Sequence, residues 1–228
     1  MSFQEAGSQL HGRARVLFTD RSHGNLSSVG GDHAEHGAAA RERLRELIGV
    51  QRVARGHQVH GTVVERLHEL PAHEPATGPP READGQASAL ASLGVMVLSA
   101  DCLPVALGCE DAVAMVHAGW RGLAAGVLEE GVRAMLELSA GSEIVAVVGP
   151  GAGPCCYEVG PEVHGTFARA HAHRWRIDLR AIAHDRLQAA GVSEVRDVNA
   201  CTICDERYFS HRREGSRAGR QAGVAWLS

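Results

Sequence analysis

The stretch SADCLPVALGCEDAVAMVHAGWRG, residues 99–122, decides the fold prediction for this chain. Two short apolar segments, LPVALG and AVAMVH, flank a polar break, GCED. A polar break between apolar runs is typical of a tight turn, so the stretch predicts an antiparallel β-hairpin. With Cys109 and Glu110 at the tip of the turn, Cys102 and His117 become direct cross-strand neighbours, with Cβ atoms about 4.5–5.5 Å apart on one face.

A cysteine and a histidine at that separation suit two kinds of chemistry. One zinc ion can bridge them, because a Zn–S bond is about 2.3 Å long and a Zn–N bond about 2.0–2.1 Å. The same pair suits nucleophilic catalysis, with Cys102 as the nucleophile and His117 as its base. A buried cysteine beside a structural histidine explains the pair equally well, so the hairpin alone leaves all three interpretations open.

A third ligand for a catalytic metal is available in HQVHG, residues 57–61, which begins a predicted strand over residues 57–67. His57 and His60 are three residues apart and face opposite sides of a strand, so only one of them joins the site readily. Three protein ligands and one open position are the pattern of catalytic rather than structural zinc.

The segment GWRG follows His117 and opens a predicted helix over residues 121–141. The first N–H groups of a helix and its partial positive charge attract anions. Arg121 adds a guanidinium suited to phosphate or carboxylate. We therefore expect this helix start to face the site.

Four further cysteines lie in two short segments, GPCCYEVG and CTIC. The second has CxxC spacing, but the chain has no second CxxC, and adjacent cysteines are unusual in zinc sites built from two such motifs. We therefore expect these thiols to pack as buried side chains rather than to hold a four-cysteine zinc ion. They are Cys155, Cys156, Cys201 and Cys204.

Composition excludes several classes of function. The net charge of −4 over 228 residues gives no general attraction to nucleic acid or to anionic membranes. The chain contains no lysine, which excludes a Schiff-base lysine, a pyridoxal-phosphate anchor and a P-loop. No signal peptide is evident and the apolar runs are too short to span a bilayer, so we expect a soluble, cytoplasmic protein.

Strand and helix patterns alternate along the chain. Apolar runs predict buried strands at residues 94–100 and 143–149, and helices are predicted at residues 34–49 and 178–190, the latter capped by Asp178. This alternation predicts one mixed α/β domain over residues 1–228, with residues 1–13 flexible.

Six motifs in order carry a resemblance to a known family, the YfiH-like laccase-domain family, also named multicopper polyphenol oxidase or purine nucleoside phosphorylase. They are HQVHG (57–61), ADG (83–85), SADCLPV (99–105), VHAGWRG (116–122), VGPGAGPCCYEVG (148–160) and the segment CTICDERYFSHRREGSRAGRQAGVAWL (201–227). The resemblance implies a four-layer α/β/β/α sandwich of mixed sheets that binds zinc through His60, Cys102 and His117. It thereby selects His60 over His57.

The names of this family imply two different activities. A multicopper oxidase needs many histidines in paired HxH motifs, whereas this chain has one HAH, at residues 171–173. Zinc suits the single site better, although copper binds such sites tightly. We therefore expect a zinc-dependent purine nucleoside phosphorylase acting on adenosine, inosine or methylthioadenosine, with adenosine deamination as a possible side activity.

The expected catalytic residues are the three metal ligands, together with Arg121 and Asp101. Arg21 matches the arginine of an early family segment, and it is expected to bind phosphate with Arg121. The proton for the leaving base is left open between Asp101 and His57, with Glu158 as a further candidate.

The expected partners are a nucleoside and phosphate, without nucleic acid or membrane, in a monomer or homodimer. Three alternatives remain: a cysteine hydrolase or amidase acting on a peptidoglycan precursor, a copper-dependent polyphenol oxidase, and a zinc-binding scaffold without catalysis.

Overall fold

Two β-sheets face each other at the centre of the protein, in a computed structural model that describes residues 8–71, 81–167, 172–173 and 175–228. The first sheet has five strands, in the spatial order β1 (Ser8–His11), β2 (Ala14–Phe18), β13 (Gln221–Leu227), β6 (Leu93–Ser99) and β3 (Arg52–Ala54). The second has six, in the order β12 (Glu194–Asp197), β9 (Val145–Val148), β7 (Leu103–Gly108), β8 (Val113–Ala118), β5 (Gly85–Ser88) and β4 (Val64–Leu67). A separate two-stranded ribbon pairs β10 (Ala172–His173) with β11 (Arg176–Ile177).

Helices cover the outer face of each sheet. The five-stranded sheet packs against α1 (Gly37–Ile48) through Leu44 and Ile48. The six-stranded sheet is covered by α2 (Trp120–Ala125), α3 (Val127–Leu138), α4 (Pro161–Phe167) and α5 (Leu179–Ala189). A short helix, α6 (His211–Glu214), follows β12. The predicted four-layer α/β/β/α sandwich is thus confirmed; within the described ranges, no helix is long and apolar enough to cross a membrane.

The central strands are mostly apolar because both of their faces are buried. In β13, Val224 and Trp226 pack towards α1, whereas Ala225 and Leu227 pack between the sheets. Successive side chains of a strand point to opposite faces, so a strand in the middle of four layers has no polar face.

The hairpin of β7 and β8 forms as predicted, but its predicted register is wrong. Pro104, not Cys102, lies opposite His117. The N–H of Cys109 donates to the carbonyl of Ala112 at 3.0 Å, so the turn is centred one residue later than expected. When the turn moves by one residue, the residue that pairs with His117 moves by two positions along β7. Side chains two positions apart in a strand point to the same face. Cys102 therefore stays on the side of the sheet to which His117 points.

Several other elements differ from their predicted bounds. The predicted strand over residues 57–67 is a strand only at Val64–Leu67, and the HQVHG segment is a loop. The predicted helix over residues 121–141 is divided at Gly126, whose φ of 98° is left-handed. The N-cap of α5 is confirmed, because the side chain of Asp178 accepts two backbone hydrogen bonds from the first turn.

The described part of the N-terminal segment begins with a strand. Strand β1 pairs with β2, and Leu10 is buried between the sheets. Residues 8–11 are therefore part of the first sheet, whereas residues 1–7 lie outside the described ranges, and the expected flexibility of residues 1–13 stays a prediction. Of the HAH segment, residue 171 also lies outside them.

Candidate metal centre

Three side chains from separate parts of the chain converge at one end of the space between the sheets. Each of His60, Cys102 and His117 offers one ligand atom, and these atoms all lie within 4.8 Å of one another. The Sγ atom of Cys102 is 3.8 Å from Nε2 of His60, and the two imidazole rings stand 4.9 Å apart. Zinc bonds of about 2.1–2.3 Å in a tetrahedron separate ligand atoms by about 3.6 Å. The three donors therefore fit one zinc ion.

The three residues reach this point from different elements. His117 is the buried, second-last residue of β8, and Cys102 immediately precedes β7. His60 stands in the loop before β4, with a left-handed φ of 60°. Since this segment is not a strand, the opposite-face argument for His57 and His60 does not apply, and both histidines line the same pocket.

The carboxylate of Asp84 connects the loop of His60 to His117. Its Oδ1 lies 2.7 Å from Nδ1 of His117 and accepts the backbone N–H of His60 at 3.0 Å. Its Oδ2 accepts the N–H groups of Val59 and Gly61 at 3.0 and 2.7 Å. Burial raises the pKa of Asp84, but the hydrogen bonds from His117 and the backbone outweigh it and lower this pKa overall. A carboxylate on Nδ1 leaves Nε2 of His117 for a metal, as in many zinc proteins.

Sequence reasoning did not identify Asp84 as a site residue. It stands in the ADG motif immediately before β5, and its side chain is completely buried. A buried aspartate is rare unless its carboxylate is paired. The sequence signal for Asp84 was an acidic residue flanked by small residues at the start of a buried strand. This signal does not identify the residues that its carboxylate contacts, because they are distant in sequence.

Cys102 and His117 change each other's protonation. Burial raises the pKa of the Cys102 thiol, but the charge and hydrogen bond of His117 outweigh it and lower this pKa to about 6. Burial lowers the pKa of His117, whereas the Cys102 thiolate and Asp84 raise it to about 9. Without metal, the pair is therefore a thiolate and an imidazolium at neutral pH.

Gly119 allows the chain to pass directly against the ligands. A Cβ atom at this position would lie 2.8 Å from Cδ2 of His60 and 3.0 Å from Sγ of Cys102. Its φ of −75° is ordinary, so glycine is required here by space and not by backbone conformation. Helix α2 begins at the next residue, Trp120, one residue before the start of the helix predicted over residues 121–141.

A pocket of about 590 Å³ opens beside the three ligands. Its other walls include His57, Trp120 and Tyr157, and three arginines contribute to its lining. These are Arg55, Arg212 and Arg220. The pocket therefore combines metal-ligating, aromatic and cationic groups, and sequence reasoning had singled out none of the three arginines.

The arginine contacts near the pocket are specific. The Arg212 guanidinium carbon lies 5.3 Å from the centre of the Tyr157 ring. Arg220 donates to the carbonyls of Ala218 and Gly219 at 2.6 and 2.9 Å. Burial lowers the pKa of Arg220, against the opposing effect of the negative charges of Cys102 and Asp101.

The two arginines expected to bind phosphate lie elsewhere. Arg21 is paired with Glu214, donates to the carbonyl of Tyr208, and lines a different pocket. Arg121 is exposed, with its guanidinium 4.3 Å from the centre of the Trp120 ring, and does not line the metal-site pocket. Neither arginine lines the pocket beside the three ligands, and the expectation that they bind phosphate stays a prediction.

The acidic candidates are engaged in structural contacts. Asp101 lines the pocket, but its Oδ1 accepts the hydroxyl of Thr202 and its Oδ2 accepts the N–H of Arg212, both at 2.7 Å. Glu158 accepts from Arg176 at 3.0 Å and does not line the pocket. Asp101 therefore fastens the C-terminal segment beside Cys102.

Comparison with known proteins gives consistent results. The family described as multi-copper polyphenol oxidoreductase laccase matches residues 12–228. A purine nucleoside phosphorylase from Xylella fastidiosa is 38% identical over 221 residues, which cover 90% of this chain and 84% of that protein. One from Pseudomonas aeruginosa is 34% identical, covering 94% of each chain. The crystal structure of the Neisseria meningitidis protein NMB0706 is similar with a TM-score of 0.83 and 32% identity, over 97% of this chain and 98% of that one.

Proposed function

Because this chain belongs to the multi-copper polyphenol oxidoreductase laccase family, whose curated relatives include purine nucleoside phosphorylases, we propose that it is a zinc-dependent purine nucleoside phosphorylase. Its substrates are adenosine, inosine or methylthioadenosine, together with phosphate. The observation that carries this proposal is one pocket in which a three-ligand centre lies together with arginines and aromatic rings.

The donor set supports zinc in preference to a set of coppers. His60, Cys102 and His117 leave one position of a tetrahedron open, and a zinc ion there would supply a positive charge for an oxygen or nitrogen of the substrate. A multicopper oxidase needs further copper centres close by. Among the described residues, the only other histidine group that could hold a metal, at residues 33–36, is exposed and does not line this pocket.

Arg212 and Arg220 are the proposed phosphate-binding residues. Guanidinium groups form paired, charge-assisted hydrogen bonds with phosphate oxygens, and the chain has no lysine to do so. The rings of Trp120 and Tyr157 supply flat apolar surfaces suited to a purine base. In this arrangement phosphate and base are bound in the same pocket, on either side of the sugar.

His57 is the proposed proton donor to the leaving base. When a phosphate oxygen forms its bond to C1′, the purine leaves with the electron pair of the C1′–N bond and must take up a proton. His57 lines the pocket, and histidine is the commonest general acid in enzymes. Asp101 is the weaker candidate, because both of its oxygens already accept hydrogen bonds.

The decisive assay measures base release with and without phosphate. Purified protein is incubated with adenosine, inosine or methylthioadenosine, and free base, ribose 1-phosphate or its methylthio analogue, and free sugar are quantified. We expect phosphate-dependent release with equal amounts of base and sugar 1-phosphate. Base release that ignores phosphate and yields free sugar would contradict phosphorolysis. Ammonia and inosine formed from adenosine would reveal the proposed deaminase side activity.

A cysteine hydrolase or amidase is the second candidate, and one observation favours it. The pKa of Cys102, lowered to about 6 beside His117, is that of an activated nucleophile. A thiolate bound to zinc cannot attack a substrate. Zinc bound by Cys102 in the active protein would therefore exclude this mechanism, whereas activity of fully metal-free protein would support it.

A further inference from the structure

Four cysteines converge in a second cluster, formed by two loops. Cys155 and Cys156 follow β9, and Cys201 and Cys204 follow β12. Their sulfur atoms all lie within 4.8 Å of one another, and Sγ of Cys204 is 2.8 Å from that of Cys156 and 3.4 Å from that of Cys155. The expectation that these thiols pack as buried side chains is wrong, because Cys155 and Cys204 are exposed and the other two are partly exposed.

The backbone around Cys201 is arranged to accept negative charge on its sulfur. The N–H of Gly153 donates to this sulfur at 3.3 Å, and the N–H of Cys204 donates to it as well. Two N–H groups directed at the first sulfur of a CxxC turn thus favour a thiolate, which is the form that binds metal.

We propose that Cys155, Cys156, Cys201 and Cys204 bind a second zinc ion as a closed, structural site. Four thiolates around zinc complete a tetrahedron, with Zn–S bonds of about 2.3 Å and sulfur atoms about 3.8 Å apart. A single disulfide would use two of these sulfurs and would not explain why all four lie within 4.8 Å of one another. The site has no open position, so its metal does not bind substrate.

The second zinc ion holds one wall of the pocket in place. Cys156 immediately precedes Tyr157, which lines the pocket. Cys201 immediately precedes Thr202, whose hydroxyl bonds to Asp101 next to Cys102. The site thus joins two loops that each present a residue to the pocket or support one. It is independent of the reaction catalysed, and neither its metal nor its ligands depend on the proposed phosphorylase activity.

Metal analysis of matched variants tests this inference. Purified protein should contain about two zinc ions per chain, and Cys201→Ser/Cys204→Ser protein about one. His60→Ala/Cys102→Ser protein should also contain about one, because it loses the other site. The control Cys109→Ser removes a buried thiol outside both clusters and should retain about two. Equal zinc content in the Cys201→Ser/Cys204→Ser variant and the unchanged protein would overturn the inference.

A second measurement leaves the four cysteines intact, so it does not depend on that variant folding. X-ray absorption at the zinc edge of His60→Ala/Cys102→Ser protein should show four sulfur ligands at about 2.3 Å. Nitrogen or oxygen ligands, the absence of zinc, or a disulfide between Cys156 and Cys204 in the protein as purified would each overturn the proposal. A failed phosphorylase assay on protein with two zinc ions would leave it intact.

Discussion

Asp84 Oδ1 lies 2.7 Å from Nδ1 of His117, and this carboxylate joins two of the three segments that carry the candidate metal ligands. The same carboxylate accepts N–H groups from three consecutive residues of the loop that carries His60. The backbone of Asp84 takes part as well, because its carbonyl accepts the N–H of His117 at 2.6 Å. One buried side chain therefore determines where both histidines stand before any metal binds.

Replacing this carboxylate should weaken metal binding without removing a ligand. We expect Asp84→Asn to lower the affinity of the His60 centre for zinc by about 10–100-fold, as is typical when the partner of a ligating histidine is changed. Competition with a chromophoric chelator measures this affinity. The matched control is Asp178→Asn, because asparagine caps helices as well as aspartate does. Unchanged affinity in Asp84→Asn would show that the loop and ring are held by other contacts.

The Cys102 thiol should react as a thiolate at neutral pH in metal-free protein. Its pKa of about 6 means that the thiolate persists down to that pH and is lost below it, whereas an ordinary thiol loses its charge already below about 9. Alkylation followed by peptide mass spectrometry should give a half-maximal rate near pH 6. His117→Ala removes the neighbouring positive charge and should move the midpoint upwards.

Cys204 provides an internal comparison for that experiment. The hydrogen bond with Cys156 raises the pKa of Cys204 to about 11, although this thiol is exposed. In the same metal-free sample it should remain largely unmodified at pH 7, when Cys102 has already reacted. A Cys102 midpoint near 9, unaffected by His117→Ala, would refute the ion pair between these two residues.

A single methyl group at position 119 should disrupt the metal centre. Gly119→Ala would place Cβ within 3.0 Å of both the His60 ring and the Cys102 sulfur, so at least one ligand must move. We expect loss of zinc from this site and loss of activity, with the far-ultraviolet circular dichroism unchanged. Gly165→Ala is the control, because a Cβ there meets no atom within 4 Å and alanine favours the helix. Full zinc content in Gly119→Ala would show that the segments carrying His60 and Cys102 can move to accommodate the methyl group.

Arginines that line the pocket should affect phosphate binding more than arginines outside it. Arg212→Gln and Arg220→Gln should each raise the KM for phosphate at least about tenfold, because a hydrogen bond to a charged group contributes about 1.5–3 kcal/mol. Arg121→Gln should change this KM little, since its guanidinium stacks on the Trp120 ring and does not line the pocket. Steady-state rates at varied phosphate measure all three. A larger increase in KM for Arg121→Gln than for the two pocket variants would instead support phosphate binding at the start of α2, as the sequence analysis expected.

The local sequence pattern determined much of this fold. Apolar runs identified the strands that are buried on both faces, and the polar GCED segment identified the hairpin. Asp178 identified the start of α5. Such features depend on residues a few positions apart, so they can be read along the chain. The family resemblance then supplied His60, Cys102 and His117 as a group, and the structure brings these three together.

Tertiary structure decided the rest, because the decisive contacts join residues far apart in sequence. A turn displaced by one residue changed which residue opposes His117, and only the alternation of the strand kept Cys102 on the same side. Asp84 contacts His117, and Asp101 contacts Thr202 and Arg212. The two cysteine pairs, Cys155–Cys156 and Cys201–Cys204, meet only because β9 and β12 lie side by side. Sequence periodicity reports which face of an element is buried, but it carries no information about which distant side chain will meet that face.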